Sequence, residues 1–355
     1  MIRSRTAVVD KILEQNDEIT EILISSEEGQ KKAINYSRIA GPVKVGDKVI
    51  TNTNATYLNL GTGGYDYVIA NLTSPINNFS SDKGHIIKLR YTPMQVKCLS
   101  IEEIDSPYHL IIKDRDSVSG MKVIIIPLHS MLSPTVHILK HYNKSLKITY
   151  IMTDSACLPL FFSKMVRTLK EQQLLDFTIT SGQAFGGDLE AVNFYSALLG
   201  AKYICECDIA IIGPGPGVVG TNTKLGFSGV EGGSIIDAVN LMNGVPFYVP
   251  RISFADQRER HYGISHHSLT VLGKLTCSGA HLAVPVFNEE KENVIFQQIN
   301  KHQIHQKHDI SRIDENTLSI LEQRNVQIKT MGRGIAQDPA FFRTIGSTAV
   351  FALNM

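Results

Sequence analysis

The sequence lacks long runs of one charge, apolar stretches of bilayer length and regular cysteine spacing, and each gap removes a class of function. Its 35 Lys and Arg nearly cancel its 34 Asp and Glu. No basic run of the kind that tracks a phosphate backbone occurs, so nucleic acid is not an expected partner. Spanning a bilayer takes roughly 20 consecutive apolar residues, and none of the apolar runs approaches that, so no membrane contact is expected. The opening MIRSRTAVVDKILEQNDE interrupts its apolar residues with charge too soon for a signal peptide or a targeting helix. Five cysteines, an odd number without repeating spacing, fit reduced thiols in a cytoplasmic protein better than a disulfide framework. Internal repeats and low-complexity tracts are missing too.

What is present is enough for two domains: 355 residues, 43% of them hydrophobic, can bury at least one sizeable core. Residues 1–88 read as a small β-barrel-like domain. Alternating and β-branched residues mark strands at Arg5 to Val9, Glu18 to Ser25, Gln30 to Ser37 and 43–52. In the turn Val45-Gly46-Asp47-Lys48-Val49, Gly46 is expected at positive φ with Asp47 closing the bend. The Ser-, Asn- and Pro-rich segment 73–84 reads as a boundary loop.

Residues 89–355 read as an α/β domain. From Met121 short apolar strands alternate with helical segments. Strands are expected at 122–127, 147–152, 176–180, 207–213, 245–250, 281–286 and 326–331. Helices are expected near 134–142, 155–173, 188–199, 233–243, 265–275, 289–302, 314–324 and 338–350. Strands apolar on both faces, joined by helical crossovers, imply a doubly wound, mostly parallel, Rossmann-like sheet.

Ligands in such folds bind beyond the carboxyl ends of the strands. Those positions carry His129, then Asp154 and Ser155, then the turn Gln183, Gly186, Gly187 and Asp188, then the glycine-rich loop after Asp208. Asp154, Ser155 and Asp188 also sit where helix N-caps belong, and His129 can equally bond a turn carbonyl. Within the loop, Gly215-Pro216-Gly217-Val218-Val219-Gly220 formally matches the dinucleotide fingerprint. Pro214 and Pro216 remove two amides, and the next helix starts only near Gly233, which argues against a nicotinamide site. The remaining expectation is a cradle for phosphate or carboxylate using Gly213, Gly215, Gly217, Gly220, Thr221, Thr223 and Lys224, with simple turn chemistry as the rival.

The densest polar stretch is SFADQRERHYGISHHS, 253–268. If Ser265 caps a helix, His266 and His267 lie in its first turn, where the dipole disfavours imidazolium. A neutral imidazole there can act as base or as hydrogen-bond donor, and Arg258 and Arg260 can clamp an anion. Metal binding is the alternative for the histidines, yet His261 and His266 are off one helical face and no His-Glu-x-x-His pattern occurs. Arg333, in Met331-Gly332-Arg333-Gly334, is a further candidate anion contact.

Several stretches together carry a family resemblance: GTGGYDYV (61–68), KLRYTPMQ (88–95), QAFGGDLEAV (183–192), GFSGV (226–230), RERHYGISHHSLT (258–270) and TMGRG (330–334). With them the chain resembles, over nearly its whole length, the bacterial domain-of-unknown-function family 3866. The resemblance implies no activity. In layout alone the chain is also similar to the substrate-binding subunit of clostridial glycine and betaine reductases, but it has no counterpart of the cleavage site that generates their pyruvoyl group.

The resulting expectation is an enzyme acting on a small phosphate- or carboxylate-bearing metabolite in a cleft at the strand ends. His266 or His267 serves as base or electrophile, with His261 and His129 nearby. Asp154 or Asp188 orients it, and Arg258 and Arg260 hold the anion. The alternatives are a non-catalytic metabolite-binding regulator or assembly subunit, and, third, a metalloenzyme. No cofactor follows from the residues, and a homo-oligomer is compatible with them.

Overall fold

A computed structural model of the chain describes residues 1–61, 63–74, 83–324 and 328–355. It divides into two compact units, Met1–Lys97 and Cys98–Met355. In the first, β1 (Ser4–Gln15), β2 (Ile19–Ser26), β3 (Gly29–Tyr36), β4 (Lys48–Asn52) and β5 (Tyr65–Asn71) close into a barrel in the order β1-β2-β3-β5-β4. Side chains alternate across each strand, so Ala7, Val9, Ile22, Ile24, Ala33, Val49 and Val68 meet in a small core. Gly46 has φ 92°, and the Asp47 carboxylate accepts from Lys44 N at 2.9 Å, closing the bend before β4. A short pair, β6 (Ile86–Lys88) with β7 (Val96–Cys98), follows. Most of the expected boundary loop at 73–84 lies outside the described residues.

The second unit is built on eight parallel strands: β8 (Lys122–Ile125), β9 (Ile148–Thr153), β10 (Phe177–Ser181), β11 (Leu189–Ala191), β12 (Ile209–Pro214), β13 (Val245–Tyr248), β16 (His281–Pro285) and β17 (Asp309–Ile313). Their order is β11-β10-β9-β12-β8-β13-β16-β17; β14 (Ile252–Ser253) and β15 (Gly263–Ile264) form a separate small hairpin. The strand residues split between two cores according to the pleat. Ile124, Tyr150, Met152, Ile209 and Ile211 pack with helices Leu132–Tyr142, Lys164–Glu171 and Pro339–Asn354. Val123, Ile125, Ile151, Ala210 and Ile212 pack with helices Phe194–Tyr203, Glu231–Leu241 and Glu289–Lys301. The sheet is doubly wound, as its two-faced apolar strands require.

Two helices are shorter than their apolar runs suggest. The run expected over 155–173 is α-helical only over Lys164–Glu171, capped by Ser163, with a single 3-10 turn at Leu160–Phe162 after Pro159, which interrupts the run. The helix expected from Asp188 begins instead at Phe194, where the Asn193 side chain accepts from Tyr195 N and Ser196 N; residues 189–191 are strand β11. Edge strand β17, with the half-polar sequence DISRI, was not anticipated. The strand expected at 326–331 lies partly outside the described residues, and its described part carries only a bridge between Thr330 and Arg333.

The strand order creates two crevices. From β9 the chain runs outward to β10, and from its neighbour β12 the other way to β13. Likewise β8 leads back toward β9 while its neighbour β13 leads on toward β16. At such reversals the loops part and leave a cleft beyond the carboxyl ends of the strands.

Candidate functional site

A cavity of about 220 Å³ occupies the crevice between β8 and β13. Its polar wall comes from the segment after β13: Arg251, Arg258, Arg260, His261 and His267. Phe227 and Gly220 of the glycine-rich loop form the facing wall. The hairpin β14–β15 folds this segment back so that Ser265 caps the helix His266–Thr270, accepting from His267 N. Three imidazoles are thereby packed together. Ring centroids lie 5.1 Å apart for His261 and His266, 5.4 Å for His261 and His267, and 4.1 Å for His266 and His267. The His267 ring also stacks on Phe227, with centroids 4.1 Å apart and planes 14° from parallel.

Charge in this pocket is unbalanced. Asp256 is buried and takes Arg251 Nη2 and Arg258 Nη2 at 2.8 Å each, with Arg333 Nη2 at 3.7 Å. Hydrogen bonds from Arg258 hold its carboxyl well below the usual carboxylate range. Arg260 has neither an ion pair nor a hydrogen bond among the described residues. The three guanidinium groups that line the pocket, Arg251, Arg258 and Arg260, thus have one paired carboxylate among the described residues, Asp256.

Burial first, and the same cations after it, keep the imidazoles neutral. Burial first, then Arg251 and Arg258, push His261 down to about 3. Burial, His266 and Arg251 push His267 down to about 4. The tautomer of His261 follows from its partners: Arg251 Nη1 can only donate, and it lies 3.2 Å from Nδ1, so Nδ1 accepts and the ring proton sits on Nε2. His261 is therefore a hydrogen-bond donor at Nε2. His267 has no ring hydrogen bond among the described residues and lies against Gly220, where an added Cβ would come 3.6 Å from Nε2. Its lone pair is free to accept a proton. His266 Nε2 is buried without a hydrogen-bond partner among the described residues.

The expected residues separate into four places. His261, His267, Arg258, Arg260 and Gly220 line this pocket; His266 packs on the other two imidazoles without lining it, and Arg333 is tied to Asp338 at 3.2 Å. His129 does not join them. It is buried, with Nε2 2.7 Å from Ser163 Oγ and Nδ1 3.2 Å from the Pro214 carbonyl, so it ties the ends of β8 and β12 together. Asp188 lies toward the opening half of β10, accepting from Thr178 N at 2.8 Å and Lys170 Nζ at 2.5 Å, away from the strand ends. Asp154 faces the other crevice, where it accepts from Gln183 N at 2.9 Å.

The glycine-rich loop is largely occupied with itself. Thr221 N and Oγ1 both donate to the Gly226 carbonyl, and Thr223 Oγ1 accepts from Gly226 N at 3.0 Å, so these threonines close a hairpin. Gly217 (φ 94°) turns the chain, while Gly213 and Gly215 allow close packing: a Cβ at Gly213 would lie 2.2 Å from the Ile126 carbonyl oxygen. Gly186 and Gly187 likewise let Phe161 and the Leu189 backbone approach.

A family model described as a protein of unknown function (DUF3866) matches residues 32–349. The chain belongs to the DUF3866 family. No curated protein matches it. The matched span of this DUF3866 chain includes all of the pocket's residues. Two members of the site escape a reading by motif. Arg251 and Asp256 are the buried frame of the cluster, and their signal is only their place directly after β13. Glu231, which lines the other crevice, is also outside any motif: apart from Asp208 it is the one acid in the stretch 208–233, and it begins the helix Glu231–Leu241. Among the described residues of this DUF3866 protein, no group of three or more His, Cys, Asp or Glu is placed to hold a metal ion, and no helix is long and apolar enough to cross a membrane.

Proposed function

We propose that this DUF3866 protein is an enzyme acting on a small phosphate- or carboxylate-bearing metabolite in the pocket between β8 and β13. The observation that carries this reading is the neutral His267 ring, with no hydrogen bond of its own among the described residues, beside guanidinium groups that outnumber their carboxylate. Arg260 and Arg258 hold the anionic group, and Arg251 stays fixed by Asp256. His267 takes a proton from the bound molecule, and His261 donates from Nε2 to oxygen that gains charge. A base kept neutral by burial and nearby cations is ready to act at neutral pH, whereas an exposed imidazole would be partly protonated.

The test begins with mass spectrometry of metabolites that copurify with the protein, followed by turnover of the compound found. His267→Asn is expected to keep anion affinity within about threefold and to lower turnover by roughly 10²–10⁴. Equal turnover in the variant would sink the assignment of the base. Tight binding of an anion that wild-type protein leaves unaltered would favour the regulator reading, for which the fully satisfied ring of His129 is the supporting observation.

A further inference from the structure

The crevice between β9 and β12 holds a larger cavity, about 630 Å³, separated from the anion pocket by the end of the glycine-rich loop. Phe227 and Gly229 face the anion pocket, whereas Ser228, Val230 and Glu231 line this one. Its chemistry is of the opposite kind. Two carboxylates, Asp154 and Glu231, share the space with the hydroxyls of Ser181, Ser228 and Ser234. No cation among the described residues pairs with either carboxylate. Each has one oxygen committed: Glu231 Oε1 accepts from Thr153 Oγ1 at 2.7 Å and Ser155 Oγ at 2.6 Å, and Asp154 Oδ2 accepts from Gln183 N. The second oxygen of each has no hydrogen bond among the described residues.

We infer that this cavity is a second binding site, for a polyhydroxylated ring such as a sugar or ribose. Fixed carboxylates with a free oxygen accept hydrogen bonds from hydroxyl groups, and two of them side by side repel phosphate and carboxylate. Asn193 uses Oδ1 to cap the helix Phe194–Tyr203 and keeps Nδ2 free among the described residues, a donor for a ring or hydroxyl oxygen. Phe194 and Leu275 supply apolar surface for the carbon face of the ring. The cavity is large enough for a molecule of that size, since sites for small ligands run from roughly 300 to 1,000 Å³. Rigid support is built in as well: a Cβ at Gly182 would lie 2.3 Å from Asp154 Oδ2, so only glycine leaves this carboxylate its place.

The test uses the full chain, saturation-transfer NMR and titration with D-ribose and D-glucose, with 1,4-diaminobutane, magnesium chloride and inorganic phosphate as comparisons. Saturable binding of an aldose is expected. It should weaken at least tenfold in Asp154→Asn, and equally in Ser234→Leu, which fills the exposed cavity edge while keeping both carboxylates. Phosphate affinity should be unchanged in both variants, whose folding is checked by circular dichroism. Absence of saturable aldose binding to the wild type overturns the inference. Saturation by the diamine or magnesium with aldoses silent overturns the ligand class, and aldose binding unaffected by either variant overturns the location.

Discussion

The two crevices of the parallel sheet arise from the same topological event and carry opposite chemistry. Between β8 and β13, guanidinium groups outnumber carboxylates and the imidazoles are held neutral. Between β9 and β12, two carboxylates stand without a cation among the described residues, and burial raises the Glu231 carboxyl from its ordinary value. One loop supplies a wall to both. The fold thus fixes where the crevices open, whereas the residues that follow each strand decide their charge. The electrostatic frames also differ in depth. Asp256 is buried at the centre of its arginines, while Asp154 is exposed and held by one backbone amide.

That difference in depth predicts the largest effect. Asp256→Ala leaves Arg251, which is itself buried, without its carboxylate, and breaking a buried pair from one side costs about 3–5 kcal/mol. Asp154→Asn should cost less than about 1 kcal/mol, as for other exposed polar changes. Urea denaturation of the two variants compares them directly. Equal losses would mean that the cationic pocket is not framed by Asp256.

A second contrast lies in the response to acid. His261 is held at about 3 against an ordinary value of 6.5 by burial and by Arg251 and Arg258, with Asp256, His266 and His267 also facing it. Between those two values the unfolded chain binds a proton that the folded one does not. Stability therefore rises with pH across that window and is lost on acidification. His261 alone contributes about 1–2 kcal/mol of loss from pH 7 to pH 5. His129 and His267, also shifted down, act with the same sign. Glu231, shifted up, has the opposite sign: its contribution is present at low pH and lost as pH rises. His261→Asn should flatten the stability–pH profile between pH 7 and 5 by that amount, measured by urea midpoints at each pH. An unchanged slope would place the His261 ring in a more solvated setting.

The same comparison explains what could be read in the sequence. Strands apolar on both faces, such as IAII in β12, announce a buried parallel sheet, and the barrel strands show themselves by alternation. The arginine- and histidine-lined pocket was legible as a cluster because most of its polar groups lie between Arg251 and His267, so one stretch of chain shows it. The second cavity draws on the ends of β9 and β10, the cap of the helix Phe194–Tyr203 and the first turn of the helix Glu231–Leu241, and no local pattern joins them. Asp154 and Asp188 looked equivalent as strand-end acids. They separate because the chain doubles back after Gly187 into β11, which carries Asp188 beside Thr178 instead of the strand end. Likewise the glycines after β12 resembled a phosphate loop, yet Thr221 and Thr223 spend the loop's amides and carbonyls on its own hairpin.

The smallest effect expected separates binding from folding within the anion pocket itself. Arg258 is bonded to Asp256, so replacing it disturbs both the frame and the anion. Arg260 has no described partner, and its exposed side chain contributes only its charge. Arg260→Gln should therefore change stability by no more than about 0.5 kcal/mol. It should weaken phosphate binding about tenfold, which corresponds to about 1.4 kcal/mol for one charge-assisted contact. Aldose binding in the other cavity should be untouched. Calorimetric titration of phosphate and of D-ribose into the same variant reads both numbers. If both ligands weaken together, the loop between the cavities transmits the change and the two sites are not independent. If phosphate alone weakens, Arg260 is the free half of the anion clamp.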